Sequence, residues 1–305
     1  MRLLKMTGIG NDYVYADCMR ERIDDPAALA VRVSDRHFGV GADGLIMICP
    51  SDNADCAMIM YNNDGSEGRM CGNGIRCVGK YIYDNGYVVR PQVSIETKSG
   101  IKHLDLTIEN GICTGARVDM GVPLFTAREI PALLAAPDAD TGSVRITAGG
   151  REFDAVLVNI GNPHCVLFVD DADNTDPALL GPEIERLPIF PERINVEFVT
   201  VNDLGSMRMR VWERGTGITM ACGTGATASA AAAIRRGLCG KRVKVKLDGG
   251  ELVIDWEGEG EHAFMTGAAT YVFDIKGYDM SGSEAANSAA ALTAVPVSAA
   301  ADSRQ

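Results

Sequence analysis

The sequence predicts an α+β protein made of two similar halves. Short segments alternate apolar and polar residues with the period of a strand, a few helical segments open at glycine-rich turns, and two unrelated motifs each occur twice at one common spacing. A chain of 305 residues has room for about two domains.

In chain order, Ala27 to Asp35 and Ile75 to Asn85 are expected to be helices. Val93 to Thr97 and Leu104 to Ile108 alternate as strands. Ala132 to Gly142 is rich in Ala, Asp, Pro and Gly and suits a linker. Gly225 to Gly237 is a third helix, with Arg235 and Arg236 in its last turn and Gly237 placed to stop it. Val243 to Leu247 and Leu252 to Trp256 form strands joined by the turn Asp248-Gly249-Gly250. The last 27 residues, Asp279 to Gln305, hold nine Ala and five Ser without an apolar period. They are expected to be disordered, or else to form a short helix that packs in an oligomer.

The repeat sets the domain plan. Gly10-Asn11 and Gly161-Asn162 are turns that each feed an apolar strand ending in Asp. Cys71-Gly72-Asn73-Gly74 and Cys222-Gly223-Thr224-Gly225 each open a helix. Asn11 to Asn162 and Cys71 to Cys222 are both separated by 151 positions. Two motif pairs at one spacing imply duplication. The halves expected are 1–122, with 268–276 as a candidate returning strand, and 143–267.

Composition excludes several classes. With 46% hydrophobic and 23% charged residues the chain is globular. A net charge of −12 repels nucleic acid and anionic lipid, so neither is expected as a partner. No apolar run reaches the length of a membrane span. Gly8, Gly10, Asn11 and Asp12 interrupt the start before an apolar leader can form. Nine cysteines without a secretion signal suit free thiols in a reducing cytoplasm. Their spacing lacks a zinc-type pair. Cys49, Cys113, Cys165 and Cys239 are read as packing residues, and Cys18 and Cys56 as isolated.

The paired motifs carry chemistry. A helix start offers unpaired N–H groups and partial positive charge, which lowers a thiol's pKa and suits a carboxylate. Glycine lets the backbone come close to a ligand. Two such thiols facing one another could invert an amino acid at its α-carbon. One removes the proton from one face, and the other protonates the opposite face of the planar carbanion. No pyridoxal lysine, flavin or nicotinamide fingerprint is evident, so no cofactor and no metal are expected.

At this point the sequence resembles the diaminopimelate epimerase family over about residues 1 to 276. The likeness rests on Lys5-Met6-Thr7-Gly8-Ile9-Gly10-Asn11-Asp12-Tyr13, on Asp35 through Gly44, on Tyr61-Asn62-Asn63-Asp64-Gly65-Ser66 and on Cys71 through Cys77. It continues in Gly161-Asn162-Pro163-His164, Pro191 through Val196, Glu213-Arg214-Gly215-Thr216-Gly217 and Ala221 through Gly225. The resemblance implies two pseudo-symmetric domains, each a mostly antiparallel β-barrel around a central helix. It also implies a homodimer, and a small amino-acid substrate in lysine and peptidoglycan precursor synthesis.

The same resemblance makes Cys71 and Cys222 the acid/base pair. It makes Asn11, Asn62, Asn162, Asn195, Glu213 and Arg214 the groups that hold the substrate, with Gly72, Asn73, Gly223 and Thr224 as helix-start donors. His164 is either a polariser of a thiol or a hydrogen-bonded structural residue; His37, His103 and His262 are read as structural. Ile218 and Gly44 depart from common family residues and leave substrate choice open. The leading function is epimerisation of LL-2,6-diaminopimelate to the meso form. A racemase of the same architecture acting on another amino acid, such as histidine, is the alternative. A binding module or a thiol redox protein fits less well, because both cysteines are retained and neither has a resolving partner nearby in sequence.

Overall fold

The computed structural model describes residues 1–135 and 142–278. The expected tail at 279–305 and much of the soft stretch 132–142 lie outside the described residues. The first half runs β1 (Leu3–Gly8), β2 (Asn11–Asp17), α1 (Pro26–Ser34), β3 (Gly44–Cys49), β4 (Cys56–Asn62), β5 (Glu67–Gly68), α2 (Gly72–Asp84), β6 (Gln92–Thr97), β7 (Gly100–Glu109) and β8 (Ile112–Gly121). The second begins β9 (Ser143–Ala148), β10 (Arg151–Asn159), β11 (Pro163–Phe168), α3 (Pro177–Glu185), β12 (Asn195–Asp203), β13 (Ser206–Glu213) and β14 (Gly217–Ile218). It continues α4 (Gly223–Arg235), β15 (Arg242–Lys246), β16 (Glu251–Trp256), β17 (Ala263–Ala268) and β18 (Thr270–Ile275). A shift of 151 residues carries α1 onto α3 and α2 onto α4 end for end.

Pairing repeats in the same way. One sheet path runs β18-β1-β2-β3-β4-β6-β7-β8, the other β9-β10-β11-β12-β13-β15-β16-β17. Most neighbours are antiparallel. The exceptions are β2/β3, β4/β6, β11/β12 and β13/β15. Each parallel pair is bridged by a helix, the connection that parallel strands require. The two paths join where β8 pairs antiparallel with β17. Ala116 there lies opposite Gly267, its own counterpart 151 residues later, so an approximate twofold axis passes between them.

The two central helices are enclosed. From Gly72 to Ile82 every residue of α2 is buried, and from Gly223 to Ala233 all of α4 but Thr224. A helix buried on all faces needs apolar cover on all faces. α2 packs on β1, β2, β4, β6, β7 and β8, and α4 on β10 to β13 and β15 to β17. Each half is thus a sheet wrapped round a helix. α2 fills its barrel with Ile75, Val78, Tyr81 and Ile82, each worth about 1.5–3 kcal/mol in transfer terms. Six of the thirteen residues of α4 are alanine, and Trp256 and Phe125, with ring centres 5.8 Å apart, lie in the same core.

The structure refines three expectations. α2 and α4 start at Gly72 and Gly223 rather than at 75 and 225, so each cysteine is the residue that caps its helix. α3 was not expected, because Gly181 and Pro182 sit inside it. Gly181 is needed there, since a methyl group at that position would lie 2.4 Å from the Trp212 ring. Cys18, read as isolated, has a neighbour in Cys49, read as a packing residue: the two follow the register-paired Asp17 and Ile48 on β2 and β3.

Candidate active site

Each helix start builds the same local unit. Cys71 and Cys222 have extended backbones, and each sulfur accepts a hydrogen bond, 3.3 Å long, from the amide three residues on, Gly74 or Gly225. A thiol therefore takes the capping position that Ser or Asp usually fills. The two units meet. Asn73 Nδ2 donates to the Ala221 carbonyl at 3.1 Å, tying the start of α2 to the residue before Cys222. Met265 touches both sides, because methyl groups at Gly72 and Gly223 would each lie within about 3.1 Å of it. Glu213, at the end of β13, bears on both sulfurs through its charge.

On the first side, Asn11 stands between the Cys71 sulfur and Asp43. Its Oδ1 accepts from Cys71 Sγ at 3.1 Å, and its Nδ2 donates to Asp43 Oδ2 at 2.7 Å. Asp43 also accepts the Asp12 amide at 3.0 Å, and Arg36 bridges Asp12 and Asp43 at 3.1 and 3.0 Å. Lys5 adds an ion pair to Asp12. Asn62, at the end of β4, donates to Ser66 Oγ at 2.9 Å. Burial and the neighbouring Asp12 hold the Asp43 carboxyl above the usual range.

On the second side, the parallel pair β11/β12 sets His164 opposite Asn195. Residues two apart on a strand share a face, so Glu197 lies beside Asn195. The His164 ring is fully buried, with Nδ1 2.6 Å from Glu197 Oε1 and Nε2 2.9 Å from Asn162 Oδ1. Asn195 is committed at both ends: Nδ2 donates to the Pro163 carbonyl at 2.7 Å, and Oδ1 accepts the Arg214 amide at 2.9 Å. Arg214 itself is exposed and donates to the Glu192 carbonyl at 3.0 Å. Glu213 also accepts from Thr219, and Thr224 Oγ1 lies 3.5 Å from Cys222 Sγ.

Burial dominates the ionisation of both thiols. It pushes Cys71 up to about 11, against the N–H groups of Gly74 and Asn73 and the Arg76 guanidinium, while Glu213 adds to the rise. Cys222 stands well above the usual thiol range because of burial, then Glu213 and Glu197. Burial likewise raises Glu213. Each sulfur keeps its proton until a ligand or an internal charge offsets the cost of burial.

Sequence reasoning brought most of these residues forward, and the structure gathers Asn11, Cys71, Asn73, Glu213, Cys222 and Thr224 around the paired helix starts. His164 hydrogen-bonds Glu197 and Asn162 rather than either thiol, and of these two Glu197 lies on the Cys222 side. Asp43, Arg76 and Glu197 had not been singled out. Two signals were available. Asp43 belongs to the quoted Asp35-to-Gly44 segment. Glu197 is a charge inside the apolar run Val196 to Val199, where a carboxylate needs a reason.

Comparison with known proteins identifies the family. The family signature described as diaminopimelate epimerase matches residues 3–126 and 156–272. The diaminopimelate epimerase of Desulfitobacterium hafniense is 48% identical over 276 residues, covering 90% of this chain and 96% of that one. That of Acetivibrio thermocellus is 46% identical over 274 residues, covering 90% and 97%. Among solved structures, a Bacillus anthracis phenazine biosynthesis protein of the PhzF family superposes with a TM-score of 0.67 at 17% identity, covering 90% of this chain and 97% of that one. A hydroxyproline epimerase from Agrobacterium vitis gives 0.63 at 19%, covering 90% and 91%. These two likenesses speak for the fold. The signature and the curated relatives go further: this chain belongs to the diaminopimelate epimerase family.

Proposed function

We propose that the protein converts LL-2,6-diaminopimelate to the meso form without a cofactor, in lysine and peptidoglycan precursor synthesis. The supporting observation is the meeting of two cysteine-capped helix starts, tied by Asn73 and Ala221 and sharing Glu213. One thiolate takes the α-proton and becomes a thiol. The α-carbon becomes a planar carbanion, whose charge spreads into the carboxylate held by the helix amides. The opposite thiol then gives its proton to the other face and becomes the thiolate. Gly72, Asn73, Gly223 and Thr224 act here through their backbone N–H groups, since the Asn73 side chain is already taken.

Asn11, Asn62, Asn162, Glu213 and Arg214 hold the polar ends of the substrate, while Asn195 presents its own strand and the Arg214 amide. His164 supports the second thiol's side. The two units that close on the substrate are 1–122 with the strand returning at 268–276, and 143–267. The enzyme acts in the cytoplasm as a homodimer; no helix among the described residues is long and apolar enough to cross a membrane.

Incubation with LL-diaminopimelate in deuterated water tests the reading. Inversion with one solvent deuterium at the inverted α-carbon is expected, collapsing in Cys71→Ser and in Cys222→Ser. Substrate recovered uninverted and unlabelled would refute it, and faster racemisation of histidine would favour the alternative.

A further inference from the structure

Behind each thiol lies a fully buried charge of opposite sign to the other's. Arg76 sits one turn into α2. Its Nη1 donates to the Gly72 carbonyl and to Asn73 Oδ1 at 3.1 and 3.0 Å, and its Nε donates to the Ala268 carbonyl at 3.1 Å. The counterpart 151 residues later is Thr227, which is neutral. Glu197 sits beneath α4. A methyl group at Gly225 would lie 2.7 Å from its Oε1 and 3.2 Å from the Cys222 sulfur. The counterpart beneath α2 is Ile46, whose Cδ1 lies 2.6 Å from the same point at Gly74. One atom of each charged group, Arg76 Nη2 and Glu197 Oε2, is buried without a hydrogen-bond partner. Burying a charge in this way is expensive and calls for a function.

We propose that Arg76 and Glu197 are positioning residues that make the two thiols unequal acids, so that Cys71 loses its proton first and Cys222 keeps its own. Coulomb's law gives the sign. A guanidinium near Cys71 favours its thiolate, and a carboxylate near Cys222 opposes one. A guanidinium also stays charged when buried. Glu213 raises both thiols, more strongly than Arg76 lowers Cys71 or Glu197 raises Cys222, so the difference between the two is left to the one-sided charges. Cys71 faces Asn11 and Tyr13 on β2 and Glu213 on β13, with Asp43 behind Asn11. Cys222 faces Thr224 on α4 and the same Glu213, while Glu197 is flanked by His164 and Cys165 on β11. Glu213 acts on both thiols; Arg76 and Glu197 act on one side each. The free enzyme then has a set starting arrangement, with Cys71 as the base and Cys222 as the acid.

This inference rests on the two thiols working as a pair, but it can be tested without substrate. Iodoacetamide labelling of each cysteine is followed by peptide mass spectrometry from about pH 6 to about pH 11. The rate at each pH reports the thiolate fraction, so that midpoints above the range are compared by extrapolation from the rates. The seven other cysteines serve as internal standards for loosening of the fold. In the wild type the labelling midpoint of Cys71 should lie below that of Cys222. E197Q should lower the Cys222 midpoint, speed its labelling about tenfold at fixed pH, and leave Cys71 unmoved. R76Q should raise the Cys71 midpoint, and R76K should restore it. Should R76Q not fold, E197Q decides alone. Three results would overturn the proposal: Cys222 titrating first in the wild type, an unmoved Cys222 midpoint in E197Q, or equal movement of both thiols together with the standards. Absence of diaminopimelate turnover in the wild type would refute the assigned reaction and leave these midpoints to be judged by themselves.

Discussion

In the first half, β2 and β3 line the start of α2 with Tyr13, Gly44 and Ile46; in the second, β11 and β12 line the start of α4 with His164, Asn195 and Glu197, the residues 151 positions later. The frames match in element order and pairing, yet one lining is aromatic and apolar and the other is polar and charged. Backbone geometry explains part of the difference. A methyl group at Gly44 would strike the Tyr61 carbonyl at 2.1 Å and the Tyr13 ring at 2.8 Å. The equivalent site carries Asn195, whose two hydrogen bonds hold β11 and the loop after β13 in place. The repeat thus supplies two cysteine-capped helix starts that meet, and divergence in the layer behind them gives each a different environment.

The largest test of that comparison removes the sulfurs. Cys71→Ala and Cys222→Ala should each lower the inversion rate by about 10²–10⁴, and the double variant should be little worse than either, because the two act as a unit. Measured by α-deuterium uptake, a single variant that kept most of its activity would mean that the halves are not partners.

The barrels should also respond to opposite changes in size. Ile75→Ala in α2 opens a cavity and should cost about 2–5 kcal/mol in urea unfolding. Ala231→Leu in α4 overfills its barrel and should cost about 1–3 kcal/mol. A neutral Ala231→Leu would show that the second barrel has room to spare. A finer contrast comes from the equivalent pair at 44 and 195. Gly44→Ala should lose about 1–3 kcal/mol through overlap. Asn195→Ala should lose a similar amount by leaving the Pro163 carbonyl and the Arg214 amide unpaired.

The smallest effect is on stability at high pH. Burial lifts Cys71 and Cys113 to about 11 and Cys56 to about 12, above the value of about 8.5 for an unfolded thiol. The folded chain therefore binds these protons more tightly than the unfolded chain. Their contribution is complete below about pH 8.5 and is lost as pH rises through the folded values. The melting temperature should fall across that window, and Cys71→Ala should flatten part of the fall. A flat profile would mean that the buried thiols ionise without cost.

Much of this was legible in the sequence because it is local or repeated. The Cys-Gly caps, the period-two strands and the 151-residue spacing are all patterns within reach of a short window. The same spacing applied to α1 would have found α3, although Gly181 and Pro182 hide it from propensity. Glu197 and Arg76 were harder. A charge on an alternating strand or an amphipathic helix ordinarily faces water, and only tertiary closure puts both inside. The β8/β17 seam links residues about 150 positions apart and leaves no local trace.

The pairing of β18 with β1, from Leu3 opposite Ile275 to Thr7 opposite Thr270, sets an order for assembly. The second barrel can gather all its strands once β17 is made. The first must wait, because one of its staves is the last described strand to leave the ribosome. A nascent chain stalled before Thr270 exposes the outer edge of β1, a template for stray pairing. Synthesis thus runs from one end to the other, while the barrel that begins first is closed last.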